Sequence, residues 1–262
     1  VNNIYKNALV RTPAHNLGHG LTEAGLGCPD MEITHAQHRR YIEYLKSKDI
    51  AVTILDAVEE FPDSVFVEDT AVMIPVASGG VVVFLTCPGA KSRRGEVEQI
   101  RTSVSGVADE VYQMDGEGLM EGGDVLLMDK TFFVGIDSRT NYDGFGQFEK
   151  VAGGFGYKCV AVPFDNGMPH LKTELSALDG DTLIMSERFS GREEFSGYKK
   201  LVVPSSEVYA ANCLFVGRGL LVPAGFPVTA ELLDKNGFSP DYIDMSEFQK
   251  MDGGLTCLSL RW

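Results

Sequence analysis

Five stretches of this chain set reactive side chains into runs that are otherwise apolar. They are Glu68 and Asp69 in VFVEDTAVMIP, Glu121 and Asp124 in MEGGDVLLM, His170 ahead of LKTELSAL, Asn212 in YAANCLFV, and Cys257 in GGLTCLSL. An ionised carboxylate buried without a partner is costly, so such placements need a reason. Each residue alone has an ordinary one. Cys257 can be a small core thiol, and His170, after Pro169, a turn residue bonded to backbone. Glu68 and Asp69 can form a solvated bulge or a helix cap, and EGGD is respectable turn chemistry. Taken together they suggest more. A thiol with an imidazole and no metal-ligand spacing points to nucleophilic covalent catalysis, yet neighbouring carboxylates raise a thiol's pKa and disfavour the thiolate. The conflict disappears if the substrate brings the positive charge. A planar guanidinium accepts paired carboxylates through bidentate hydrogen bonds and offers an electrophilic carbon.

Arginines suit the other end of such a molecule. Arg93 and Arg94 follow Pro88 and Gly89 in the first turn of an expected helix, where the dipole disfavours cations, so something besides helix stability should explain them. Arg139 lies in the loop DSRTN after the strand TFFVGI, from which a guanidinium could hold a carboxylate at a pocket mouth. Their plainer use is as solvated surface charges.

These residues recur at equivalent places in a repeat. Short apolar strands alternate with helical stretches such as MEITHAQHRRYIEYLKSKD, where Ile42 and Leu45 extend one face from His38, so the class is α/β. One unit runs from VFVEDTAVMIP through VVVFLTCPGA and the helix SRRGEVEQIRTSV to EVYQMD, and the next from MEGGDVLLM through TFFVGI and YDGFGQFEKVAGGFG to YKCVAVPF. A third runs from HLKTELSAL to YKKLVVPSS, and a fourth from YAANCLFV to DYIDMS. The last is truncated: GGLTCLSLRW supplies only a first strand. Its missing parts stand at the other end, with NALVRTPA as second strand, the His38 helix, and AVTILD as third strand. Such an arrangement closes a ring, leaves no sheet edge open, and makes residues 1–262 one domain whose reactive entries converge on one end of its axis. The competing expectation is an open α/β sheet with coincidental spacing.

Composition narrows the partners. At 262 residues, 44% hydrophobic and 23% charged, the chain can bury a proper core. Its apolar stretches are strand-sized, far short of the roughly 20 residues that cross a bilayer, so no membrane partner is expected. The start VNNIYKNALVRTPAHN lacks the marks of a secretory leader. The 5 widely spaced cysteines form no C-x-x-C pair, which argues against a disulfide framework or zinc site and for a reducing cytoplasm. A net charge of −14 repels phosphate backbones, so nucleic acid is not expected, and a cationic small molecule is favoured. GHGLTEAG and GFGQF miss the dinucleotide fingerprint, and neither a Walker loop nor a G-x-S-x-G elbow occurs.

The motifs FPDSVFVEDT, SRRGE, EGGD, SRTN, HLKT, YAANC and GG-x-x-C-x-S resemble, in order and over nearly the whole chain, the dimethylarginine dimethylaminohydrolases. That family sits among guanidino-modifying enzymes with the arginine deiminases and amidinotransferases. The resemblance implies a five-bladed α/β propeller, Cys257 as nucleophile, His170 as general acid and then base, and Glu121 orienting the imidazole. It also implies that Asp63, Glu68 and Asp69 bind the substrate's nitrogen groups, with Asp69 on the guanidinium. Arg93 and Arg139 would hold its carboxylate, and Leu21, in NLGHGLTEAG, would belong to a lid. No cofactor or metal is implied, and assembly as a homodimer is compatible. FPDSVFVED with SRRGE favours N-methylated arginine over the unmethylated substrate of a deiminase; a propeller that only captures arginine-like cations is the remote alternative.

Overall fold

The computed structural model describes residues 5–165 and 169–262. In chain order the elements are β1 (Asn7–Arg11), α1 (Met31–Ser47), β2 (Ala51–Leu55), β3 (Ala71–Pro75), β4 (Val81–Leu85), α2 (Arg94–Ser105) and β5 (Glu110–Gln113). They continue with β6 (Val125–Met128), β7 (Thr131–Ile136), α3 (Tyr142–Gly154), β8 (Lys158–Pro163), β9 (Leu175–Ala177), β10 (Thr182–Met185), α4 (Glu187–Ser190) and β11 (Lys199–Val202). Last come β12 (Leu214–Phe215), β13 (Leu220–Pro223), α5 (Pro227–Lys235), β14 (Asp241–Ile243), α6 (Ser246–Gln249) and β15 (Leu260–Arg261).

The strands form five sheets of three, ordered β15-β1-β2, β3-β4-β5, β6-β7-β8, β9-β10-β11 and β12-β13-β14. In every sheet the middle strand runs antiparallel to the first and parallel to the third, with a helix in the parallel crossover. A parallel pair needs such a crossover, whereas a tight turn serves the antiparallel one. The two ends of the chain meet in one sheet, with Ala8 opposite Arg261 and Leu9 opposite Leu260, so the truncated last unit is completed by the first residues.

Strand β4 shows why its run VVVFL is continuously apolar. Val82 and Phe84 pack into one core with Phe132, Val134 and Phe148, while Val81, Val83 and Leu85 enter another with Val97, Ile100 and Val104 of α2. A strand covered on both faces has no polar side to show. Helix α1 is started by Asp30, whose carboxylate accepts from the N–H groups of Glu32 and Ile33. It buries Thr34, His38, Tyr41, Ile42 and Leu45, a spacing that keeps one face inward. Among the described residues no helix is long and apolar enough to cross a membrane, and all five cysteines are free thiols.

The reactive side chains differ from expectation in one respect. They lie in or beside short 3-10 turns just before the first strand of each sheet, not within the strands: Val67–Thr70, Gly122–Asp124, Leu171–Thr173, Ser205–Ala211 and Thr256–Leu258. Inside a strand an alternating side chain would face packed core, whereas a tight turn frees backbone N–H groups and lets neighbouring polar side chains gather.

Candidate active site

Cys257 sits in the last of these turns, and the glycines before it are demanded by close approach. A Cβ on Gly253 would lie 2.3 Å from the ring of Phe66, and one on Gly254 2.4 Å from the amide carbon of Asn212. The Gly254 N–H points at Cys257 Sγ from 3.4 Å. Burial pushes the thiol up to about 12; Glu68 and Asp69 push the same way, and the Gly254 N–H and Lys172 push back.

His170 precedes the turn Leu171–Thr173 and is fixed through its own peptide, whose N–H donates to Thr173 Oγ1 at 3.3 Å, while the N–H of Leu171 donates to Asp124 Oδ1 at 2.9 Å. Its ring lies against Gly123, where a Cβ would stand 2.6 Å from Nδ1. Nε2–H donates to Glu121 Oε2 at 2.6 Å and lies 3.5 Å from Asp69 Oδ1. Burial opposes charge on the imidazole, but Asp69, the hydrogen bond to Glu121 and the charge of Asp124 outweigh it, and the pKa rises to about 9. The ring is an imidazolium at neutral pH.

The carboxylates are held as acceptors. Glu121 takes the Gly89 N–H on Oε1 at 3.0 Å, and its own N–H donates to Thr140 Oγ1. Burial alone would raise its pKa; the bond and charge of His170 bring it below the usual range. Asp69 accepts from the Gly123 N–H at 3.0 Å and from Arg93 Nη1 at 2.6 Å. Burial again works against ionisation, but His170 and Arg93 hold Asp69 at about 2. Asp69, Glu121 and His170 offer ligand atoms within 4.8 Å of one another, the one such cluster among the described residues. Those atoms are already committed to Arg93, to backbone N–H groups and to the imidazole proton, which a metal ion would have to displace.

One cavity of about 440 Å³ is lined by Cys257, His170, Asp69, Asp63, Arg93, Arg139 and Leu21. Asp63 accepts the Leu21 N–H on both oxygens at 3.1 Å. Burial raises its pKa, with Arg93 acting against the rise. Leu21 is 46% exposed, and the segment after it is tied across the opening: Thr22 Oγ1 donates to the Lys250 carbonyl at 2.8 Å, and Glu23 N–H to Asp252 Oδ2 at 2.6 Å. Arg139 is half-buried, with Nη1 3.5 Å from Glu121.

Two expected substrate contacts sit differently. Arg93 is buried, with Nε and Nη2 on Glu96, Nη1 on Asp69 and Nη2 also on the carbonyls of Asp63 and Phe66; it reaches the cavity with most of its donors in use. Glu68 is not among the residues lining that cavity. It borders a neighbouring one of about 120 Å³, with Oε1 accepting from Lys172 at 2.6 Å and Arg261 at 2.8 Å. Glu121 is likewise not among the residues lining the cavity of Cys257 and His170.

Sequence reasoning left Glu96, Thr140, Lys172 and Arg261 out of the site. Glu96 had a signal, the i,i+3 spacing from Arg93 within SRRGE. Thr140 bridges the two ends of EGGD, since it accepts from the Glu121 N–H and donates to Asp124 Oδ2 at 2.6 Å. Nothing local announces that bridge, which spans two loops.

Comparison with known proteins gives the family. Residues 30–182 match the family model described as N,N dimethylarginine dimethylhydrolase, eukaryotic. The chain is 36% identical over 260 residues to the N(G),N(G)-dimethylarginine dimethylaminohydrolase of Pseudomonas aeruginosa, covering 99% of this chain and 100% of that one. It is 34% identical to the Streptomyces coelicolor protein of the same name, covering 98% and 96%. A crystal structure of the Pseudomonas protein, a cysteine-to-serine mutant complexed with citrulline, superposes with a TM-score of 0.92 over 99% of this chain and all of that one at 35% identity. The N-terminal domain of a cyanobacterial arginine dihydrolase shares the fold at 20% identity, with a TM-score of 0.85 over 97% of this chain and 96% of that domain. With an α/β fold common to these structures and more than a third of its residues identical to a full-length relative, the chain belongs to the dimethylarginine dimethylaminohydrolase family.

Proposed function

We propose that the protein hydrolyses the guanidinium of N-methylated arginine, giving citrulline and a methylamine through a covalent intermediate on Cys257. The observation that carries this reading is one cavity lined by the Cys257 thiol, the His170 imidazole, the carboxyl groups of Asp63 and Asp69, and Arg139. That set fits a substrate with a delocalised cation at one end and an amino acid at the other.

Before substrate binds, with the thiol pushed up to about 12 and the imidazole to about 9, the sulfur holds its proton and His170 carries charge at neutral pH. Binding a guanidinium between Asp69 and Cys257 adds a positive charge beside the sulfur, and the thiol releases its proton to solvent. The thiolate forms an S–C bond at the guanidinium carbon, and the C=N π pair moves onto nitrogen. His170 then gives its proton to the methylated nitrogen as that C–N bond breaks. The neutral imidazole, still held by Glu121, takes a proton from water as the water oxygen bonds to the same carbon; the C–S pair then returns to sulfur, the new hydroxyl gives its proton to solvent as the carbonyl forms, and the departed amine takes one up. Guanidinium plus water thus become neutral citrulline and a methylammonium ion.

Asp63 and the Leu21 segment are the receptors for the α-ammonium, and Arg139, with the remaining donor of Arg93, for the carboxylate. Glu68 acts from outside the cavity, through Lys172 and Arg261. The fold reading that accompanies this function is a single-domain, five-bladed α/β propeller, each three-stranded sheet a blade. Five free thiols suit a reducing cytoplasm.

The test is the amine released from a panel of arginine derivatives. Dimethylamine or methylamine with citrulline supports the proposal. Ammonia from unmethylated arginine, with the methylated compounds inert, makes the protein a deiminase, and saturable binding without turnover makes it a capture protein.

A further inference from the structure

The nucleophile and the acid come from different sheets: Cys257 precedes β15 and His170 precedes β9. Attack and protonation must happen at one carbon, so the two loops need a common reference. The side chain of Asn212 hydrogen-bonds to both. Asn212, which precedes β12 and is 3% exposed, accepts the N–H of Thr256 on Oδ1 at 3.1 Å. Its Nδ2 donates to the Lys172 carbonyl at 2.7 Å and to Thr256 Oγ1 at 3.2 Å. Thr256 is the residue before the nucleophile, and Lys172 is two after the imidazole. Gly254 is the side-chain-free surface against which this amide lies. Asn212 does not line the substrate cavity.

We propose that Asn212 is a positioning residue that sets the Cys257 thiol against the His170 imidazole; the inference rests on the reaction proposed above. The chemistry of its partners explains the residue type. The Thr256 N–H can only donate and the Lys172 carbonyl can only accept, so the side chain between them must offer one acceptor and one donor at fixed separation. An amide does this at every working pH. A carboxylate offers two acceptors and faces the carbonyl with a repulsive oxygen, whereas a neutral carboxylic acid restores the amide's pattern. Displacing a reacting group by about 1 Å costs on the order of 100-fold in rate. The expected effect is therefore on the chemical step and not on substrate affinity.

The experiment compares Asn212→Ser and Asn212→Asp with the unmodified protein. For Asn212→Ser the expected result is a kcat lower by about 100-fold with KM within about threefold, in a protein still folded by circular dichroism. At this buried position the introduced carboxyl is raised from its ordinary value of about 4, so for Asn212→Asp the kcat deficit at about pH 8 should shrink at least about tenfold by about pH 5, as that carboxyl takes up a proton. Alkylation of Cys257 by iodoacetamide, followed over the same pH range, should show the same narrowing gap. A Ser variant with kcat within about threefold of the parent, or an Asp-to-parent ratio that is flat with pH in both kcat and alkylation, overturns the proposal. If the Ser variant does not fold, the isosteric Asp variant decides. Alkylation needs no guanidinium, so a parent that releases no methylamine would refute the proposed reaction while the alkylation profiles still judge the positioning role.

Discussion

Glu121 and His170 meet end to end, carboxylate oxygen to Nε2 at 2.6 Å, with the carboxylate fully buried and its other oxygen held by the Gly89 N–H. This pair sets the ring's direction and part of its charge, because the imidazole's rise to about 9 depends on Asp69, on the bond to Glu121 and on Asp124. In Glu121→Gln the bond can persist without the charge. His170 should then lose its proton at lower pH, so the alkaline limb of the kcat profile should move down by on the order of one pH unit. Steady-state rates between pH 6 and 10 check this, and an unmoved alkaline limb would remove His170 as the proton donor.

Arg93 lies between Asp69 and Glu96, one cation with two carboxyl groups, and the two divide unequally. Burial raises Glu96 to about 7 despite Arg93, whereas Asp69, with His170 as a second cation, is held at about 2. Asp124 is likewise raised to about 7, by burial. A carboxyl whose folded pKa is raised stabilises the fold at acid pH, and that contribution fades as pH climbs from the unfolded value through about 7. His170, raised from 6.5 to about 9, adds stability present below 6.5 and lost as pH rises through 9. Asp69 works in the opposite sense, with stability present above 3.8 and lost as pH falls through about 2. The thermal midpoint should therefore fall steadily from about pH 6 to about pH 9. A midpoint that is level or rises over that range contradicts the assignment, and Asp124→Asn should flatten the slope.

Strand order and the pairing of the two chain ends were legible because they rest on local patterns: alternation in short strands, an amphipathic α1, and a last unit missing the parts that the first residues provide. The fully buried β4 was equally plain. Cys257, His170 and Glu121 stand out in the sequence because thiol, imidazole and carboxylate are out of place in apolar runs, and the structure brings the first two to one cavity with Glu121 on the imidazole. Glu68 shows the limit. It adjoins Asp69 and shares its chemistry, yet successive residues of a tight turn point apart, and its side chain pairs with Lys172 and Arg261 in a different cavity. Arg93 is read correctly as unexplained by helix stability, but its burial beside Glu96 depends on a packing that spacing alone does not reveal.

The sulfur should respond to substrate charge before any chemistry. Burial, then Glu68 and Asp69, push the thiol up to about 12, and a bound guanidinium reverses the local sign. Thiolate absorbance titrated with and without a slow arginine analogue should show a midpoint lower by about two units or more in the complex. Cys257→Ser should bind the same analogue and turn over nothing. Identical titrations would show that activation does not come from the substrate.

Asp252 ties the Leu21 segment down, accepting from Glu23 N–H at 2.6 Å and Thr22 Oγ1 at 3.0 Å. Its backbone is left-handed, with φ of 55°, so Asp252→Gly removes the carboxylate without asking the chain to change shape. The Glu23 N–H loses its charged acceptor, worth about 1.5 kcal/mol, and the Thr22 hydroxyl keeps only the Lys250 carbonyl, which should loosen the Leu21 segment. Expected are a KM raised roughly tenfold and faster proteolysis between Leu21 and Leu26, with the thermal midpoint nearly unchanged. Equal KM and equal cleavage would mean that the Leu21 N–H on Asp63 and the Thr22 hydroxyl on the Lys250 carbonyl suffice to hold the segment.

Gly123 gives the sharpest separation of site geometry from fold. A Cβ there would stand 2.6 Å from Nδ1 of His170 and 2.8 Å from Asp69 Oδ1, both too close for a relaxed contact. Gly123→Ala must therefore push the ring off its seat or pull Asp69 from the Gly123 N–H, while the backbone of the turn Gly122–Asp124, capped by Thr140 and Leu171, remains held. A misplaced general acid costs on the order of 100-fold or more in kcat. Asp69 lines the same cavity, and in the proposed reaction it receives the guanidinium, so KM should rise as well, which distinguishes this variant from Glu121→Gln. The check is a pair of measurements, kcat and KM against the shift of the alkaline limb: Gly123→Ala should change both constants and leave the limb near its original pH if the ring moves together with Asp69. A variant with ordinary kinetics would show that His170 does not rest on this glycine in the working enzyme.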